Sequence, residues 1–497
     1  MTSSLMFQGT GSDVGKTILV AGLCRALTKR GMKVRPFKPQ NMSNNAAVAE
    51  AGGQAGEIGR AQWLQAMACR IPASIHMNPV LLKPQSDQGS QVIVHGKVHS
   101  TARARDYQAL KPTLLKAVLD SFEELKREAD IVLVEGAGSP AEINLRAGDI
   151  ANMGFAQRAE VPVVLVGDID RGGVIASIVG TRTILPVDDC AMIKGFLINK
   201  FRGDISLFDD GLDAITRFTN WQSFGVLPFL DIVRKLPAED SVALERPGST
   251  GGAGQIRVAV PALPRIANFD DLDPLFAEPD VSVRFVNKGQ PWPDPVDLVV
   301  LPGSKATISD MSFLQEQGWD RKIADHARRG GKVIGICGGY QMLGKVIRDP
   351  NGIEGSQREI AGLGLLDIET ELENEKVVKN SSARSIPDDL ELAGYEIHLG
   401  RTYGPDCERP MIMLNERPDG ATSPDGGVSG CYLHGLFGSD EYRKSVLVAL
   451  GAGSVSISYR QEIEGALDEL GEAMERHLNV DEMLQIAKIG AQSRSKA

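Results

Sequence analysis

With 497 residues, of which 42% are hydrophobic and 24% charged, the chain is typical of a globular protein too long for one hydrophobic core, so two or three domains are expected. Its net charge of −10, without a lysine- and arginine-rich run, argues against nucleic acid or an anionic membrane as the main partner, and no apolar stretch is long enough to span a membrane. Six cysteines without CxxC or metal-finger spacing, and a start that runs directly into a nucleotide motif, predict a cytoplasmic protein.

Short apolar runs alternate with helical stretches through the first half of the chain. This alternation is typical of a parallel sheet covered by helices on both faces, so an α/β domain is predicted over residues 1–245. The predicted strands are 5–9, 33–38, 130–138, 161–168 and 192–200, with helices at 16–30, 108–128 and 205–220.

The composition changes at 246–255, where RPGSTGGAGQ cannot bury a core and is predicted to be a flexible linker. A second α/β domain is expected over 256–440, followed by a helical extension and tail over 441–497. Its predicted strands are 256–263, 281–286, 296–303, 331–339 and 427–435.

The motif GTGSDVGKT at 9–17 follows an apolar strand and opens a helix. Glycines let backbone amides turn toward phosphate oxygens, a lysine adds a positive charge, and a threonine hydroxyl can bind Mg²⁺. Five residues separate Gly9 from Gly15, one more than in the usual loop, and this spacing resembles the dethiobiotin synthetase-like branch of P-loop proteins. The predicted nucleotide-binding residues are Gly11, Ser12, Asp13, Gly15, Lys16, Thr17 and Asn199.

Polar side chains follow several of the predicted strands, at the sheet edge where ligands bind in open α/β folds. Glu135 is predicted to bind the metal together with Thr17, and Glu57 is a weaker candidate for which a surface helix acid is the alternative. Seven residues in the loops FKPQNMSNN and GDIDRGGV are candidates for binding the substrate or its acyl phosphate, with turn and cap chemistry as the alternative. They are Lys38, Asn41, Ser43, Asn44, Asp168, Asp170 and Arg171.

In GKVIGICGGYQMLG a predicted strand runs into Cys337, two glycines and a helix. A sharp turn of this kind exposes a nucleophile, and the helix start lowers the pKa of a thiol. Cys337 is therefore the predicted nucleophile, with the amides of Gly303 and Gly338 as an oxyanion hole and Gln341 as a candidate for binding its substrate.

A thiol hydrolase also needs a base. His434, in GCYLHGLF at the end of a short strand-like run, is the predicted base, and His398 in GYEIHLGR is the competing candidate.

The ordered blocks GTGSDVGKT, KPQNMSNN, LLKPQSDQGSQVIVHG, VEGAGSPAEINL, GDIDRGGV, INKFRGD, LPGSKAT, GICGGYQMLG, GYEIHLGRT and YLHGLF closely resemble cobyric acid synthases over nearly the whole chain. The resemblance implies an ATP-dependent amidoligase joined to a class I-type glutaminase. Such enzymes use glutamine and ATP with Mg²⁺ to amidate the b, d, e and g carboxylates of adenosylcobyrinic acid a,c-diamide. The product is adenosylcobyric acid, in adenosylcobalamin biosynthesis. The implied partners are these small molecules, with a homo-oligomer left open.

Two positions depart from the pattern that the resemblance implies. Leu436 stands where class I glutaminases usually carry a glutamate that orients the histidine, so a Cys337–His434 dyad is expected, and Ala306 stands where an asparagine is expected. The alternatives are a cobyrinic acid a,c-diamide synthase and, from another class, a partitioning-type ATPase that acts as a binding switch.

Overall fold

A computed structural model describes residues 2–86, 89–237, 255–453 and 457–493. The chain forms two compact units, and neither is one continuous stretch of sequence. The first unit comprises residues 1–43, 49–236 and 463–497, and the second comprises 44–48 and 237–462.

The predicted division of the chain, with domains over 1–245 and 256–440, differs from these units, in which the longer segment of the second unit begins at 237 and runs to 462. Segment 44–48 belongs to the second unit, and residues 463–497 belong to the first. No change of composition marks either place. The predicted linker 246–255 lies, apart from Gln255, outside the described residues.

The first unit is built on a parallel six-stranded sheet in the order β12-β11-β10-β1-β9-β2. The inner strands β1, β9 and β10 are buried along their whole length, because helices cover both faces of a parallel sheet. A four-stranded sheet β3-β6-β7-β8 and a two-stranded sheet β4-β5 are inserted after β2. The strands up to residue 236 are β1 (Ser3–Gly9), β2 (Val34–Phe37), β3 (Gln40–Met42), β4 (Ala46–Ala51), β5 (Gln54–Gly59), β6 (Val80–Ser86), β7 (Gly89–Val94), β8 (Lys97–Arg103), β9 (Ile131–Glu135), β10 (Val163–Asp168), β11 (Ile193–Phe201) and β12 (Gln222–Pro228).

The described part of the chain forms seven α-helices between these strands. The predicted helix at 16–30 is present, and the one predicted at 108–128 begins earlier. The segment predicted as a helix at 205–220 forms a short 3₁₀ turn followed by a helix. The helices are α1 (Lys16–Lys29), α2 (Arg60–Ala68), α3 (Ala104–Arg127), α4 (Met153–Arg158), α5 (Val174–Ile184), α6 (Val187–Met192) and α7 (Asp209–Thr219).

The second unit contains a six-stranded sheet in the order β14-β13-β15-β16-β24-β23, in which all neighbours are parallel except β23 and β24. A second sheet, β18-β17-β19-β21-β22 with β20 paired to β19, was not predicted. The strands are β13 (Ile256–Pro261), β14 (Val281–Val286), β15 (Leu298–Leu301), β16 (Lys332–Ile336), β17 (Val346–Arg348), β18 (Glu359–Ala361), β19 (Glu369–Ser385), β20 (Glu391–Tyr403), β21 (Ile412–Leu414), β22 (Arg417–Asp419), β23 (Ala421–Thr422) and β24 (Val428–Cys431). The helices are α8 (Asp273–Phe276), α9 (Thr307–Glu316), α10 (Trp319–Arg328), α11 (Gly338–Leu343) and α12 (Asp440–Ala449).

Two further helices, α13 (Tyr459–His477) and α14 (Val480–Ser493), follow the second unit in sequence, and from residue 463 onward they belong to the first. Helix α1 packs tightly against α13 at Gly22, where a side chain would not fit. A Cβ at this position would lie 2.8 Å from Met474. Arg25, fully buried, donates to Glu464 at 2.6 Å. Residues far apart in sequence thus complete one core.

Both units have the predicted α/β architecture, and the prediction of the fold class is confirmed. Among the described residues, no helix combines the length and the apolar character needed to cross a membrane.

Candidate functional site

The loop between β1 and α1 closes around the Lys16 side chain. Nζ of Lys16 donates to the carbonyl oxygens of Gly11 and Gly138, at 3.0 and 3.1 Å. Gly15 has a φ of +91°, and a Cβ there would lie 2.4 Å from Nδ2 of Asn199, so the position requires glycine. The ammonium group therefore lies within the loop that leads into the N-terminus of α1, where an anion is favoured.

The tip of this loop is exposed and charged. Ser12 and Asp13 are exposed, and Asp13 has a φ of +58°. The Arg171 guanidinium lies 3.3 Å from the Asp13 carboxylate. Asp170 instead pairs with Arg202 at 2.6 Å, and this hydrogen bond lowers the pKa of Asp170 below its usual range. The predicted residues 170 and 171 therefore lie at the C-terminal edge of the sheet, engaged in ion pairs.

Asn199 and Asp168 lie side by side in the register of β10 and β11. Nδ2 of Asn199 donates to the Val14 carbonyl at 2.8 Å, and Asp168 accepts from Lys200 at 2.7 Å. Both side chains are buried at the edge of the sheet that carries the phosphate loop. A nucleotide role for Asn199 stays a prediction.

Glu135, at the end of β9, collects three donors on one buried carboxylate. Its Oε1 accepts from Thr17 Oγ1 and Lys38 Nζ, each at 2.8 Å, and its Oε2 accepts from Gln65 Nε2 at 2.6 Å. A hydroxyl and a carboxylate next to a phosphate loop are the oxygen donors that Mg²⁺ prefers, with phosphates and water filling its remaining positions. Residues Thr17 and Glu135, predicted from separate motifs, are thus in direct contact.

Glu57 lies on β5 and is buried, so the alternative of a surface helix acid is wrong. Its carboxylate accepts from Lys83 Nζ at 2.7 Å, and both side chains are almost fully buried. A metal-binding role for Glu57 stays a prediction. The described residues contain no group of three or more histidine, cysteine, aspartate or glutamate side chains that could hold a metal ion.

The loop after β2 is divided between the units. Lys38, Asn41 and Ser43 lie in the first unit, where the side-chain amide of Asn41 donates to Gln62 at 3.3 Å. Asn44 begins the segment that belongs to the second unit. The structure therefore does not gather the four predicted substrate residues of this loop in one unit.

Cys337 occupies the sharp turn between β16 and α11. Its φ of +54° and ψ of −111° are strained for a residue with a side chain, and strain of this kind is typical of functional turns. A Cβ at Gly339 would lie 2.0 Å from the carbonyl oxygen of Leu301, and one at Gly338 would lie 2.8 Å from the amide of Ser304. The two glycines are thus required by the close approach of the loop after β15.

His434 is fully buried and lies within hydrogen-bonding reach of Cys337. Its Nδ1 is 2.7 Å from Oδ2 of Asp271, and its ring stacks on Tyr395 with 5.0 Å between centroids. Burial lowers the pKa of His434, but the Asp271 carboxylate and the Cys337 thiolate outweigh burial and raise it to about 10. The raised pKa strengthens the imidazole as a base toward the Cys337 thiol.

Asp271 was not predicted from the sequence. It lies in the run NFDDLDP between β13 and α8, and its Oδ1 also accepts from the amide of Gly435 at 2.6 Å. The position where a triad glutamate would be expected is Leu436, which is buried among apolar residues. Asp271 contacts the imidazole in its place. Several acids in a stretch that is otherwise apolar were the only signal in the sequence.

His398, the competing base, stacks on Tyr432 with 3.8 Å between ring centroids. Its Nε2 lies 3.6 Å from Glu396. The thiol of Cys337 faces the backbone carbonyl of Ile397, at 3.4 Å. The described contacts therefore place the imidazole of His434, rather than that of His398, at the thiol.

Gln341 is held by the protein at both ends of its amide. Its Nε2 donates to the Leu399 carbonyl at 2.9 Å and to the Tyr432 hydroxyl at 3.2 Å, and its Oε1 accepts from Thr307 at 3.1 Å. These contacts indicate a structural role, and a contact with glutamine stays a prediction.

Gly303, the other predicted oxyanion residue, borders the histidine ring. A Cβ at this position would lie 3.1 Å from Cε1 of His434. The Gly303 carbonyl accepts from the amide of Ala267 at 2.9 Å. The glycine loop, the thiol turn and the imidazole thus meet at one place in the second unit.

Both parts of the chain match known families. Residues 5–243 match the CobQ/CobB/MinD/ParA nucleotide binding domain. Residues 257–442 match the CobB/CobQ-like glutamine amidotransferase domain. The first match covers the phosphate loop and the second covers the thiol and the imidazole.

Relatives match along almost the full length. A cobyric acid synthase of Brucella suis biovar 1 is 64% identical over 487 residues, covering 98% of this chain and 100% of the relative. One from Mesorhizobium japonicum is 64% identical over 492 residues with the same coverage. A solved chain of PurLQS from Thermotoga maritima, 18% identical with a TM-score of 0.29 over 43% of this chain and 97% of that chain, adds nothing to the assignment. The chain is a glutamine-dependent ligase that belongs to the cobyric acid synthase family.

Proposed function

We propose that this ligase amidates the b, d, e and g carboxylates of adenosylcobyrinic acid a,c-diamide, with one glutamine and one ATP consumed at each carboxylate. The observation that supports this most directly is the presence, in one chain, of a thiol paired with an imidazole and a phosphate loop paired with a carboxylate. The first pair releases nitrogen and the second prepares an acid to accept it. Both chemistries are needed to form an amide from a free carboxylate.

In the second unit, the Cys337 thiolate attacks the side-chain amide carbon of glutamine. The oxyanion that forms is stabilised by the amides near Gly303 and Gly338, and the His434 imidazolium gives its proton to the departing nitrogen, so that ammonia leaves. Water then attacks the thioester, with His434 as the base, and releases glutamate and the free thiol. Asp271 holds His434 in one orientation through both steps.

In the first unit, an oxygen of the corrin carboxylate attacks the γ-phosphorus of ATP, ADP leaves, and an acyl phosphate forms. Lys16 and Lys38 place positive charge beside the phosphates, and Asn199 lies at the edge where a nucleotide base can be recognised. Thr17 and Glu135 are the residues that would hold Mg²⁺, which supplies further positive charge to the phosphates when bound. Ammonia then attacks the acyl carbon, and phosphate leaves.

The test is incubation of the full-length protein with adenosylcobyrinic acid a,c-diamide, ATP, Mg²⁺ and glutamine, followed by mass spectrometry of the corrin. Four successive acid-to-amide exchanges, each matched by ADP and glutamate, are expected. A protein that leaves this substrate unchanged but amidates cobyrinic acid at only two positions would be an a,c-diamide synthase, and the proposal would be rejected.

Replacement of the thiol separates the two half-reactions. Cys337→Ala is expected to reduce glutamine-driven amidation by at least about a thousandfold, because the covalent step is lost. Amidation with added ammonium chloride is expected to remain, because the first unit is unchanged. Cys407→Ala, at a half-buried cysteine in the same unit, is the control and is expected to retain glutamine-driven activity. Loss of ammonia-driven activity in Cys337→Ala would contradict the two-site mechanism.

A further inference from the structure

A five-residue segment from the N-terminal part of the chain is part of the glutaminase unit. Residues 44–48 belong to the second unit, while the residues before and after them, up to Ser43 and from Ala49, belong to the first. The loop that carries Lys38 therefore leads directly into this segment. None of the residues 45–48 has a role in the proposed mechanism.

The segment is tied to the neighbourhood of the catalytic imidazole by two hydrogen bonds. Oδ1 of Asn45 accepts from the amide of Phe269 at 3.1 Å, and the amide of Ala46 donates to Oδ1 of Asn268 at 3.0 Å. Asn45 is 2% exposed and Asn268 is 3% exposed, so water does not compete for these groups. The contacts are reciprocal, since each of the two segments offers one asparagine oxygen to a backbone amide of the other.

These bonds decide which end of the Asn268 amide faces His434. Because Oδ1 accepts from Ala46, Nδ2 is the group that lies 3.3 Å from Nε2 of His434. The opposite orientation would bring two donors together at Ala46. Asp271, an acceptor, keeps a proton on Nδ1, so Nε2 accepts from Nδ2 when the imidazole is neutral.

We infer that Asn268 is a positioning residue that holds Nε2 of His434 as a hydrogen-bond acceptor, and that segment 44–48 fixes the Asn268 amide in the orientation that does so. This inference rests on the proposed role of His434. For the imidazole to take the thiol proton, the bond from Asn268 must break, or the amide must turn and offer Oδ1 to the new N–H. The second change breaks the bond to Ala46. Segment 44–48 thus restrains proton transfer from the thiol to the imidazole until the segment shifts.

The strain at Asn268 supports a specific role. Its φ is +53°, a conformation that asparagine, aspartate and glycine tolerate better than other residues. Among the residues that the structure describes, the other groups at the imidazole are the Asp271 carboxylate, the Cys337 thiol and the Tyr395 ring, and none of these is an amide donor.

The direct test is the titration of His434 by ¹⁵N NMR in full-length protein labelled at histidine, in a Cys337→Ala background where no thiolate raises the pKa. Asn268→Gly removes the donor without adding backbone strain, and Asn268→Asp replaces it with an acceptor. Both variants are expected to raise the pKa of His434, by up to about one unit for Asn268→Gly and by more for Asn268→Asp. Unchanged titration in both variants would overturn the inference.

The matched control is Asn220→Gly, at an asparagine of the first unit with a φ of +58°. It makes the same change of residue in the same backbone conformation and is expected to leave the His434 titration unchanged. A shift equal to that of Asn268→Gly would mean that the effect is one of general stability, and the inference would fail.

The role of the segment is tested separately with Ala46→Pro, which deletes the N–H that fixes the amide. Ala46 is the first residue of β4, a position where a strand tolerates proline. With Cys337 intact, this variant and Asn268→Gly are expected to hydrolyse glutamine about fivefold faster than the parent when ATP and corrin are absent. An unchanged or slower rate would overturn the restraint. Neither readout requires corrin amidation, so failure of the proposed substrate is distinguished from failure of this inference.

Discussion

The imidazole of His434 is held at both ring nitrogens by Asn268 and Asp271, two side chains close together in sequence but more than 150 residues from the histidine. Asp271 accepts from Nδ1 at 2.7 Å, and Asn268 contacts Nε2 at 3.3 Å. The bond from Nδ1 to Asp271 fixes the tautomer of the ring, which is the task of the third member of a catalytic triad.

Asp271→Asn is expected to lower kcat for glutamine hydrolysis by about 10- to 100-fold, because a charged hydrogen bond to the imidazolium is replaced by a neutral one. Steady-state glutamate release measures this, with ammonia-driven amidation retained. The control is Asp349→Asn, at a fully buried carboxylate of the same unit that accepts from the amides of Ile353 and Glu354. Similar losses in both variants would show that Asp271 acts only through stability.

Asp310 is a buried acid whose titration should affect stability. Its carboxyl accepts from the hydroxyl of Ser304 and the amide of Arg265, but burial dominates and raises its pKa to about 7. The unfolded chain loses this proton near pH 4 and the folded chain near pH 7. Between these values unfolding releases a proton, so stability falls as pH rises, by about 1.4 kcal/mol per unit.

Asp310→Asn removes this dependence. The melting temperature of the variant minus that of the parent protein is therefore expected to be larger at pH 8 than at pH 5. The pKa of exposed Asp425 is instead lowered, first by the hydroxyl of Ser423, so Asp425→Asn should show no such gain. A melting difference for Asp310→Asn that is the same at both pH values would contradict the raised pKa.

At the scale of elements, the two turns to which the proposed function assigns the chemistry depend on glycine. The turn between β16 and α11 passes so close to β15 that a Cβ at Gly339 would lie 2.0 Å from a carbonyl oxygen. Gly339→Ala is expected to lower the stability of the second unit by about 1–3 kcal/mol and to reduce glutamine hydrolysis, because the backbone of Cys337 must shift. Thermal unfolding and glutamate release are the two measurements.

The control is Gly180→Ala, also at a glycine within a helix, where a Cβ meets nothing within 4 Å. It is expected to be neutral or stabilising by up to about 1 kcal/mol. If both substitutions had the same effect, the close approach at Gly339 would not be the cause.

These two turns could be predicted from the sequence because each is a local pattern of strand, glycine and helix. Lys16, Thr17 and Cys337 lie where their motifs predicted. The long strands β19 and β20 could not be predicted, because sequences such as ETELENEK are mostly polar and exposed, without the apolar alternation that marks a half-buried strand. Asp271 and segment 44–48 could not be predicted because their partners lie more than a hundred residues away.

At the scale of the molecule, the first unit is completed by helices that follow the second unit in sequence. Met474 of α13 is fully buried and faces Gly22 of α1, and α14 packs on β1. Met474→Ala is expected to lower the stability of the first unit by about 2–5 kcal/mol. The unfolding transition of that unit can be identified by its shift to higher temperature with ATP.

Glu469→Ala, at an exposed position of the same helix, is the control and is expected to change stability by less than about 0.5 kcal/mol. An ATP-sensitive transition that moves equally in both variants, or in neither, would contradict the assignment of α13 to the core of the first unit.

The placement of α13 and α14 also has a consequence for how the protein is made. A ribosome releases β1 and α1 first, but residues 463–493, which cover them, are translated only after the whole glutaminase unit. During that interval the nucleotide-binding sheet lacks part of its apolar cover and is exposed to chaperones and proteases. The ligase half therefore finishes folding last, although its sequence is read first.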